Sequence, residues 1–465
     1  MKVWSGIILS GIAAAIMLAP ADTLRAQQVA GSSPIGPIAP LQSRQMPVPG
    51  TRTNGIEPTA ATVNADTHTL SSIESLGIGS LGVLTNDLDP SVRFTQSGGN
   101  AATANWEGIT AIGMNLDFAD HGTHSHLTGY YRGSRVLYFP DSGYNSTYNN
   151  LGVAEEYRAA RWLFRIREDF LSSTQVGLGG VDLAGVPMSI GANLMNALPA
   201  TAEIDTILTA RAKRSRSTTS GEVNYLLSHR STLTLAGTFN SSTYSTAGFI
   251  DTQRTSGRIG YDYFLSPKNA VGIFYEESQM RFTPVPYGLR TDSAQFAFGR
   301  RLTGRMAFQV SAGPMRVAFG NTSQQLNWTV SSSMLLQGRR TQYTLTYAHA
   351  TAGGSGIFTG VTSHTVMASV RYRLTPWWTF SDTAGYSFNQ NLGVTGAVAD
   401  HIGNWYDSAA IERAFGRHLQ FALNYAMQAQ NGAAAICAVT ACAPNAVRET
   451  VGATLEWHPW KIAAR

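Results

Sequence analysis

The sequence predicts an all-β fold: a transmembrane, antiparallel up-and-down β-barrel of about 16–18 strands. Three observations support this prediction. Apolar and polar residues alternate with a period of two over stretches of about nine residues or more. A short turn motif recurs every 34 to 41 residues. The composition, with 46 glycines, 10% aromatic and only 14% charged residues, favours strands, and no apolar run reaches the roughly 20 residues of a membrane-spanning helix.

Residues 1–26 are expected to be a signal peptide. Lys2 supplies the positive start, residues 6–20 the apolar core, and Leu24-Arg25-Ala26 a cleavage site with a small residue. The next segment, 27–86, is rich in Pro, Gly, Ser and Thr and has no periodicity, so we expect a flexible periplasmic leader. Within it, 69–84 is the candidate for a short helix or a plug.

Residues 87–465 are expected to form the barrel. Alternation is clearest in 419–428, where Leu, Phe, Leu, Tyr and Met take every second position. The turn motifs that separate pairs of strands begin at Leu227, Leu265, Leu302, Leu336, Leu374 and Phe415. Counting from 91–98 to Arg448–Trp457 gives eighteen candidate strands, and sixteen remains acceptable because the pattern is weaker upstream.

A β-propeller has a similar repeat length, but it packs four short strands into each blade. Here each repeat holds two strands, each long enough to cross a bilayer, for which roughly 9–11 residues suffice. Four-residue turns on one side are expected to alternate with connections of roughly ten residues or more on the other, and Ser173–Ala210 is expected to be an external loop or a constriction that folds inward. Aromatic residues near strand ends would form the interfacial girdle of a barrel: Tyr261, Tyr263, Trp328, Trp377, Trp378 and Trp457.

Two charged residues fall on the nominal lipid face. Arg413 lies near a turn, where the cost of a charge facing lipid is small. Asp382 lies well inside a strand, and we expect a β-bulge or a different register there.

Five arginines lie on the polar face of predicted strands and are the candidates for lumen charge and selectivity: Arg165, Arg167, Arg258, Arg371 and Arg373. A ring of guanidinium groups inside a pore attracts anions. An equally favoured alternative is that these arginines pair with acids on neighbouring strands and stiffen the barrel wall. The acids in question are Asp169, Asp262, Glu276 and Glu412. Phe274 shares the polar face and is a candidate for stacking on a sugar.

Cys437 and Cys442 are a disulfide candidate that would close a small loop in an exported protein. A zinc site there is disfavoured, because two thiolates without a nearby His supply half of the ligands. A second cluster is expected to be a polar turn and not a metal site: Asp117, Asp120, His121, His124 and His126.

No catalytic residue and no cofactor is predicted. The sequence has no Gly-x-Ser-x-Gly elbow on a strand-to-helix pattern. The adjacent acids Glu155-Glu156 and Glu276-Glu277 point to opposite faces of a strand and share no site. Nucleic acid is excluded as a partner, because the arginines are mostly scattered singly and the net charge is only +5.

The long alternating strands with Leu-Ser/Thr-x-Arg-type turns resemble the outer-membrane β-barrel porin family associated with exopolysaccharide systems. The resemblance covers Asn100 to the C-terminus and is strongest in Gly221–Tyr425. It implies a porin or export channel in the cell outer membrane, which passes polar, anionic or saccharide solutes through a water-filled lumen. The expected partners are outer-membrane lipid, the barrel-assembly machinery, and a polar small-molecule or polysaccharide solute. Two alternatives stay open: a plugged structural or adhesive barrel that acts through its external loops, and, less favoured, an outer-membrane enzyme.

Overall fold

The computed structural model describes most of the chain downstream of residue 86. The described residues are 87–99, 107–121, 124–139, 145–173, 213–245, 249–266, 268–303, 305–320, 323–354, 357–392, 401–416, 418–432, 445–459 and 462–463. The predicted signal peptide, leader and short helix therefore lie outside the described residues, as do Cys437, Cys442 and most of Ser173–Ala210.

These residues form eighteen long strands of 12 to 16 residues and one two-residue strand. The strands are β1 Asp87–Gly99, β2 Glu107–His121, β3 Ser125–Phe139, β4 Ser146–Ala159, β5 Trp162–Ser173, β6 Arg214–Ser228, β7 Ser231–Tyr244, β8 Asp251–Ser266, β9 Asn269–Thr283, β10 Gly288–Thr303, β11 Met306–Phe319, β12 Ser323–Gln337, β13 Thr341–Gly354, β14 Phe358–Arg373, β15 Trp378–Asn391, β16 His401–Phe415, β17 Leu419–Gly432, β18 Asn445–Trp457 and β19 Ile462–Ala463. Within the described part of the chain, no helix is long and apolar enough to cross a membrane.

Each long strand pairs antiparallel with its neighbours in sequence, and β1 pairs antiparallel with β18. This last pairing closes the sheet, so the fold is an all-β, eighteen-stranded antiparallel barrel, as the alternation predicted. The short β19 extends the closure by pairing with the first two residues of β1. Closure leaves no exposed sheet edge along the long strands.

The two ends of the barrel differ in the length of their connections. At one end, here called the short-turn end, connections such as the one between Ala159 and Trp162 span two to four residues. At the other end, the long-connection end, they range up to the segment between Ser173 and Arg214. Gly416 in the turn after β16 has a φ of 68°, which glycine adopts without the penalty of a Cβ. The expectation of connections of roughly ten residues or more at the long-connection end holds only in part, because β9 and β10, β11 and β12, and β13 and β14 are joined by three or four residues.

Large apolar side chains on the strands point outward and form what we call the outer belt. On β5, Trp162, Phe164 and Ile166 are 45%, 40% and 57% exposed, while Arg165 and Arg167 face the opposite way. A soluble protein would bury most of such side chains. A mostly apolar outside, with charged exceptions such as the Glu277–Arg290 pair, and a polar inside are typical of an outer-membrane β-barrel.

The seam between the last and first strands is held by a buried polar cluster on the inner face. Glu456 on β18 lies 3.2 Å from a guanidinium nitrogen of Arg93 on β1 and accepts a 2.9 Å hydrogen bond from Asn115 on β2. Ser91 donates a further hydrogen bond to the same carboxylate. Three strands therefore converge on one acid where the barrel closes.

The expectation of a bulge at Asp382 is wrong. The register of β15 runs without a shift past this residue, which pairs with Val370 on β14 and Ala409 on β16. Asp382 does face outward, and its carboxyl group lies within hydrogen-bonding distance of that of Asp407 on β16. A hydrogen bond between the two carboxyl groups lowers the cost of placing them on the outer face, so the strand keeps its register without a bulge.

Arg413 also faces outward, near the short-turn end as expected. Its guanidinium lies over the rings of Trp378 and Phe415, at 5.1 and 4.5 Å from their centroids. Attraction between a cation and the faces of two aromatic rings lowers the cost of this charge.

Candidate functional site: the barrel interior

The inner face of the barrel divides into two walls of different chemistry. What we call the charged wall is the inner face of β1–β9, where ion pairs recur from strand to strand. What we call the neutral wall is the inner face of β10–β17. Among the residues that the structure describes, the inner faces of β11, β12, β13, β15 and β17 carry no charged side chain.

Arg165 and Arg167 lie on the charged wall, and both bind carboxylates. Nε of Arg165 lies 2.7 Å from Glu156 on β4, and Nη1 lies 3.4 Å from Glu222 on β6. Arg167 donates to Asp169, two residues along the same strand, at 2.5 and 2.9 Å. These arginines are 31% exposed, so they contact both their acids and the lumen.

Arg258 on β8 is more deeply buried, and it donates to Glu276 on β9 at 2.6 and 3.1 Å. Its guanidinium also lies 5.1 Å from the ring centroid of Phe274. Phe274 is only 3% exposed, so the prediction of a free sugar-stacking ring is wrong: Arg258 covers it.

Asp262 does not form the ion pair with an arginine that the sequence allowed. It shares the inner face of β8 with Arg258, but both of its oxygens are buried without a hydrogen-bond partner. The side chain is 0% exposed and folds over Gly272 on β9, where a Cβ would collide with it. Arg258 instead binds Glu276, which lies directly opposite on the next strand.

Arg371 and Arg373 lie apart from the other three candidates, on the neutral wall at the short-turn end of β14. Arg373 is exposed and Arg371 half-buried. Thr379 on β15 pairs with Arg373 on one side and Glu412 on the other, so this acid lies two strands away, roughly 10 Å, on the same face. The five arginines thus line different parts of the lumen and form no single ring.

The neutral wall is lined by hydroxyl and amide side chains, many of them buried. Some satisfy one another: Gln295 on β10 accepts a hydrogen bond from Ser311 at 3.1 Å and donates one to Ser293 at 3.3 Å. Others have buried polar atoms without a partner, among them both amide atoms of Asn389 and of Asn424.

Apolar side chains meet on the inside at the long-connection end, in what we call the apolar constriction. Phe249, just before β8, packs in one buried cluster with Phe358 and Val361 of β14 and Ile402 of β16. A second cluster at the same end contains Met280, Phe282, Leu289, Met315, Val317 and Phe319. Because β8 and β14 are far apart in the sheet, the first cluster joins opposite parts of the wall.

Gly360 on β14 allows this approach. It has a φ of 148°, which side chains rarely adopt, and a Cβ there would lie 3.2 Å from Leu289 of β10. The Gly at this position therefore accounts for the close contact between two strands that are not neighbours.

Most of the His- and Asp-rich cluster lies on strands and not in the predicted turn: Asp117, Asp120 and His121 are on β2, His126 is on β3, and His124 lies between the two strands. Asp117 binds Arg132 at 3.1 Å, and His124 is exposed. The side chains of Asp120 and His121 lie outside the part of the chain that the structure describes. In the described part, no group of three or more His, Cys, Asp or Glu side chains is placed to hold a metal ion.

Comparison with known proteins gives a likeness at the level of the barrel. No family model and no curated protein matches the sequence. Among solved structures, OpdQ of Pseudomonas aeruginosa is similar over 82% of this chain and 99% of its own, with a TM-score of 0.40 and 9% identity. OccK2 (OpdF) of the same organism, solved with glucuronate, covers 80% and 98% at a TM-score of 0.40 and 10% identity. OpdK with vanillate covers 81% and 98% at a TM-score of 0.40 and 10% identity. We base no functional inference on these structures, because identity and TM-score are both low.

Proposed function

We propose that the chain is an outer-membrane channel through which small polar solutes diffuse. The observation that supports this function is the opposition of the two faces of the closed barrel. Trp162, Phe164 and Ile166 face outward on the strand whose arginines face inward, and this division recurs around the sheet. A barrel of 16–18 strands is wide enough for an aqueous channel, so the polar face encloses a path for water and solutes.

The channel prefers anions, and Arg371 and Arg373 are the residues that set this preference. Arg165, Arg167 and Arg258 each bind a carboxylate, which offsets their charge and suits them to stiffening the charged wall. Arg371 and Arg373 lie on the inner face at the short-turn end of β14, where a solute enters or leaves the lumen, and Arg373 is exposed. Arg presents two parallel donors, which fit a carboxylate or phosphate group.

The finer predictions from the sequence belong to the same proposal. Export through a cleaved signal peptide at residues 1–26, a Cys437–Cys442 disulfide, and insertion by the barrel-assembly machinery are consistent with this function. The resemblance to exopolysaccharide-associated porins implies passage of a polysaccharide, which would be the largest solute that we propose for this channel.

Proteoliposome swelling tests the channel directly. Vesicles that contain the refolded barrel should swell in an isotonic solution of arabinose faster than empty vesicles, and more slowly as the solute grows. Swelling at the rate of empty vesicles for every solute would overturn the channel function.

A plugged barrel that acts through its external loops is the second candidate. The apolar constriction favours it, because Phe249, Phe358 and Ile402 pack together at the long-connection end and narrow the lumen there. The two candidates differ in the same assay, since a plugged barrel stays impermeable even to the smallest sugar.

A further inference from the structure

The outer face of the barrel carries a charged cluster near the long-connection end, which we call the arginine patch. Its arginines lie on three adjacent strands, Arg281 on β9, Arg290 on β10 and Arg316 on β11, together with the acids Glu277 and Asp292. Arg281 is exposed, and the side chains of Arg290 and Arg316 are 50% and 51% exposed. These groups are on the surface that faces the membrane, so a lipid headgroup can reach them.

The strand register places the three arginines close together. Arg281 pairs with Gly288, two residues before Arg290. Arg290 in turn pairs with Ala318, two residues after Arg316. Each arginine is thus a diagonal neighbour of the next, and such neighbours lie roughly 7–8 Å apart. Long side chains at this spacing can contact one anionic headgroup together.

The two acids of the arginine patch hold two of the guanidinium groups in place. Nε and Nη2 of Arg316 donate to Oδ2 of Asp292 at 3.1 and 2.7 Å. Arg290 lies 2.8 Å from Glu277 and 3.4 Å from Asp292. A guanidinium has five N–H donors, so Arg316 keeps three for another acceptor.

The charges of the arginine patch do not cancel. Arg281 pairs with no carboxylate in the part of the chain that the structure describes. Three arginines against two acids leave a net charge of +1. An anion is therefore the partner that this surface attracts.

The arginine patch lies at the edge of the apolar part of the outer face. On β10, Phe296 and Phe298 face outward between Arg290 and Arg300. Arg300 lies ten residues after Arg290, which is roughly 33 Å along the strand. At a strand tilt of about 40° this corresponds to roughly 25 Å across the membrane, the height of the apolar band in outer-membrane barrels. Charges at the edge of this band meet lipid headgroups and not acyl chains.

The edge in question belongs to the outer leaflet. Arg281 lies two residues before the end of β9, and Arg290 lies two residues after the start of β10, both at the long-connection end. In outer-membrane barrels the short turns face the periplasm and the longer connections face the outside. The headgroups that meet the arginine patch are therefore those of the outer leaflet.

A phosphate monoester fits the arginine patch better than other headgroup chemistry does. It carries about −1.5 to −2 charges at pH 7 and three acceptor oxygens. Arg binds phosphate through two parallel N–H···O bonds, which are stronger than bonds between neutral groups. A second copy of the chain fits less well, because a two-fold contact through this surface would bring the same arginines together.

We infer that the arginine patch is a binding site for an outer-leaflet lipid whose headgroup carries a phosphate monoester. The inference rests on the membrane location in the proposed function, and it does not require that the barrel conducts. It gives the outer face of β9–β11 a role that is separate from the lumen.

Native mass spectrometry of the barrel refolded in zwitterionic detergent micelles tests the site. Lipid A is the probe, because its headgroup carries two phosphate monoesters. We expect the wild type to retain lipid A, and to retain phosphatidylcholine at least tenfold more weakly, because that headgroup carries a cation. Arg290→Gln/Arg316→Gln should bind lipid A at least tenfold more weakly. Arg281→Gln breaks no ion pair, so it should lower binding without a change in folding and provides the test if the double variant does not fold.

Arg135→Gln on β3 is the matched control. Arg135 is also exposed on the outer face, four residues from the long-connection end of its strand, but it lies six strands away from β9. This variant should bind lipid A as the wild type does. Equal binding by the wild type and both patch variants would overturn the site, and so would an equal loss in the Arg135→Gln control.

Two other occupants are distinguished by the same spectra. Complete release of lipid A by inorganic phosphate at an equal concentration would show a site for free phosphate, which would overturn the lipid as the occupant. A mass of two chains that forms without lipid A and is lost in Arg281→Gln would show that a second copy occupies the surface, with the same consequence.

Planar-bilayer recording of the same preparations separates this inference from the channel function. A wild type that conducts ions but does not retain lipid A keeps the channel and refutes the site. A wild type that retains lipid A through the arginine patch but never conducts supports the site and refutes the channel.

Discussion

Arg258 on β8 and Glu276 on β9 occupy directly paired register positions, and Nε and Nη2 of the arginine both donate to Oε2 of the acid. Arg254, four residues earlier on the same face of β8, lies 3.5 Å from the other carboxylate oxygen. One buried carboxylate thus compensates two guanidinium groups on the charged wall, and it joins two strands through their side chains.

Replacement of this acid should destabilise the barrel. Glu276→Gln removes the negative charge that two buried guanidinium groups contact, and loss of one partner of a buried pair costs about 3–5 kcal/mol. We expect a matching fall in the free energy of unfolding, measured by urea titration of the barrel in lipid vesicles. Glu277→Gln is the control, because Glu277 faces outward, is 47% exposed and binds Arg290 at 2.8 Å. Glu277→Gln breaks one ion pair and leaves no buried guanidinium behind, so we expect a smaller loss. Equal losses for the two variants would contradict the role given to Glu276.

Asp262→Asn should stabilise the barrel. The Asp262 carboxylate is 0% exposed and neither oxygen has a hydrogen-bond partner, so a neutral amide of the same shape removes a buried charge. We expect a gain of roughly 1–3 kcal/mol in the free energy of unfolding. Asp251→Asn at the start of β8 serves for comparison, because its Oδ1 accepts a 2.8 Å hydrogen bond from the backbone N–H of Tyr244. That variant should lose stability or stay unchanged, and a loss in Asp262→Asn would show that its carboxylate has a partner.

Truncation within the apolar constriction should widen the channel. Phe249→Ala removes the ring that packs against Phe358 and Ile402 at the long-connection end. We expect a larger single-channel conductance and faster liposome swelling with disaccharides. Phe296→Ala is the control, since Phe296 is 58% exposed on the outer belt and does not face the lumen. A conductance that stays at the wild-type value in Phe249→Ala would place the narrowest part of the path elsewhere.

Neutralising the arginines on the neutral wall should change ion selectivity. Arg371→Gln/Arg373→Gln should shift the reversal potential in a salt gradient towards cations, because two positive charges leave the short-turn end. Arg165→Gln provides the comparison. The charge of Arg165 is offset by Glu156 and Glu222, so the Arg165→Gln change leaves these two carboxylates without their arginine on the charged wall. A reversal potential unaffected by the Arg371/Arg373 change would remove these residues from the selectivity role.

The alternation in the sequence was sufficient to predict the fold and the face of most residues. Glu276 and Glu277 were predicted on opposite faces, and they are 7% and 47% exposed side by side on β9. Period-two alternation settles this, because the faces of a strand follow from residue number alone.

Pairing partners could not be predicted in the same way. Arg258 was as compatible with Asp262 as with Glu276 until the register of β8 and β9 was known, and a slip of one residue would place Glu277 opposite it. The contact between Asp382 and Asp407 depends on the register in the same way. The apolar constriction depends on contacts between β8, β14 and β16, which no local pattern reports.

Single-channel recording of the refolded barrel in a planar bilayer, with a salt gradient, is the most direct test of the proposed channel. We expect discrete conductance steps and a reversal potential that indicates a preference for anions. A barrel that inserts with its β-structure intact and never conducts would overturn the channel function and would support the plugged alternative.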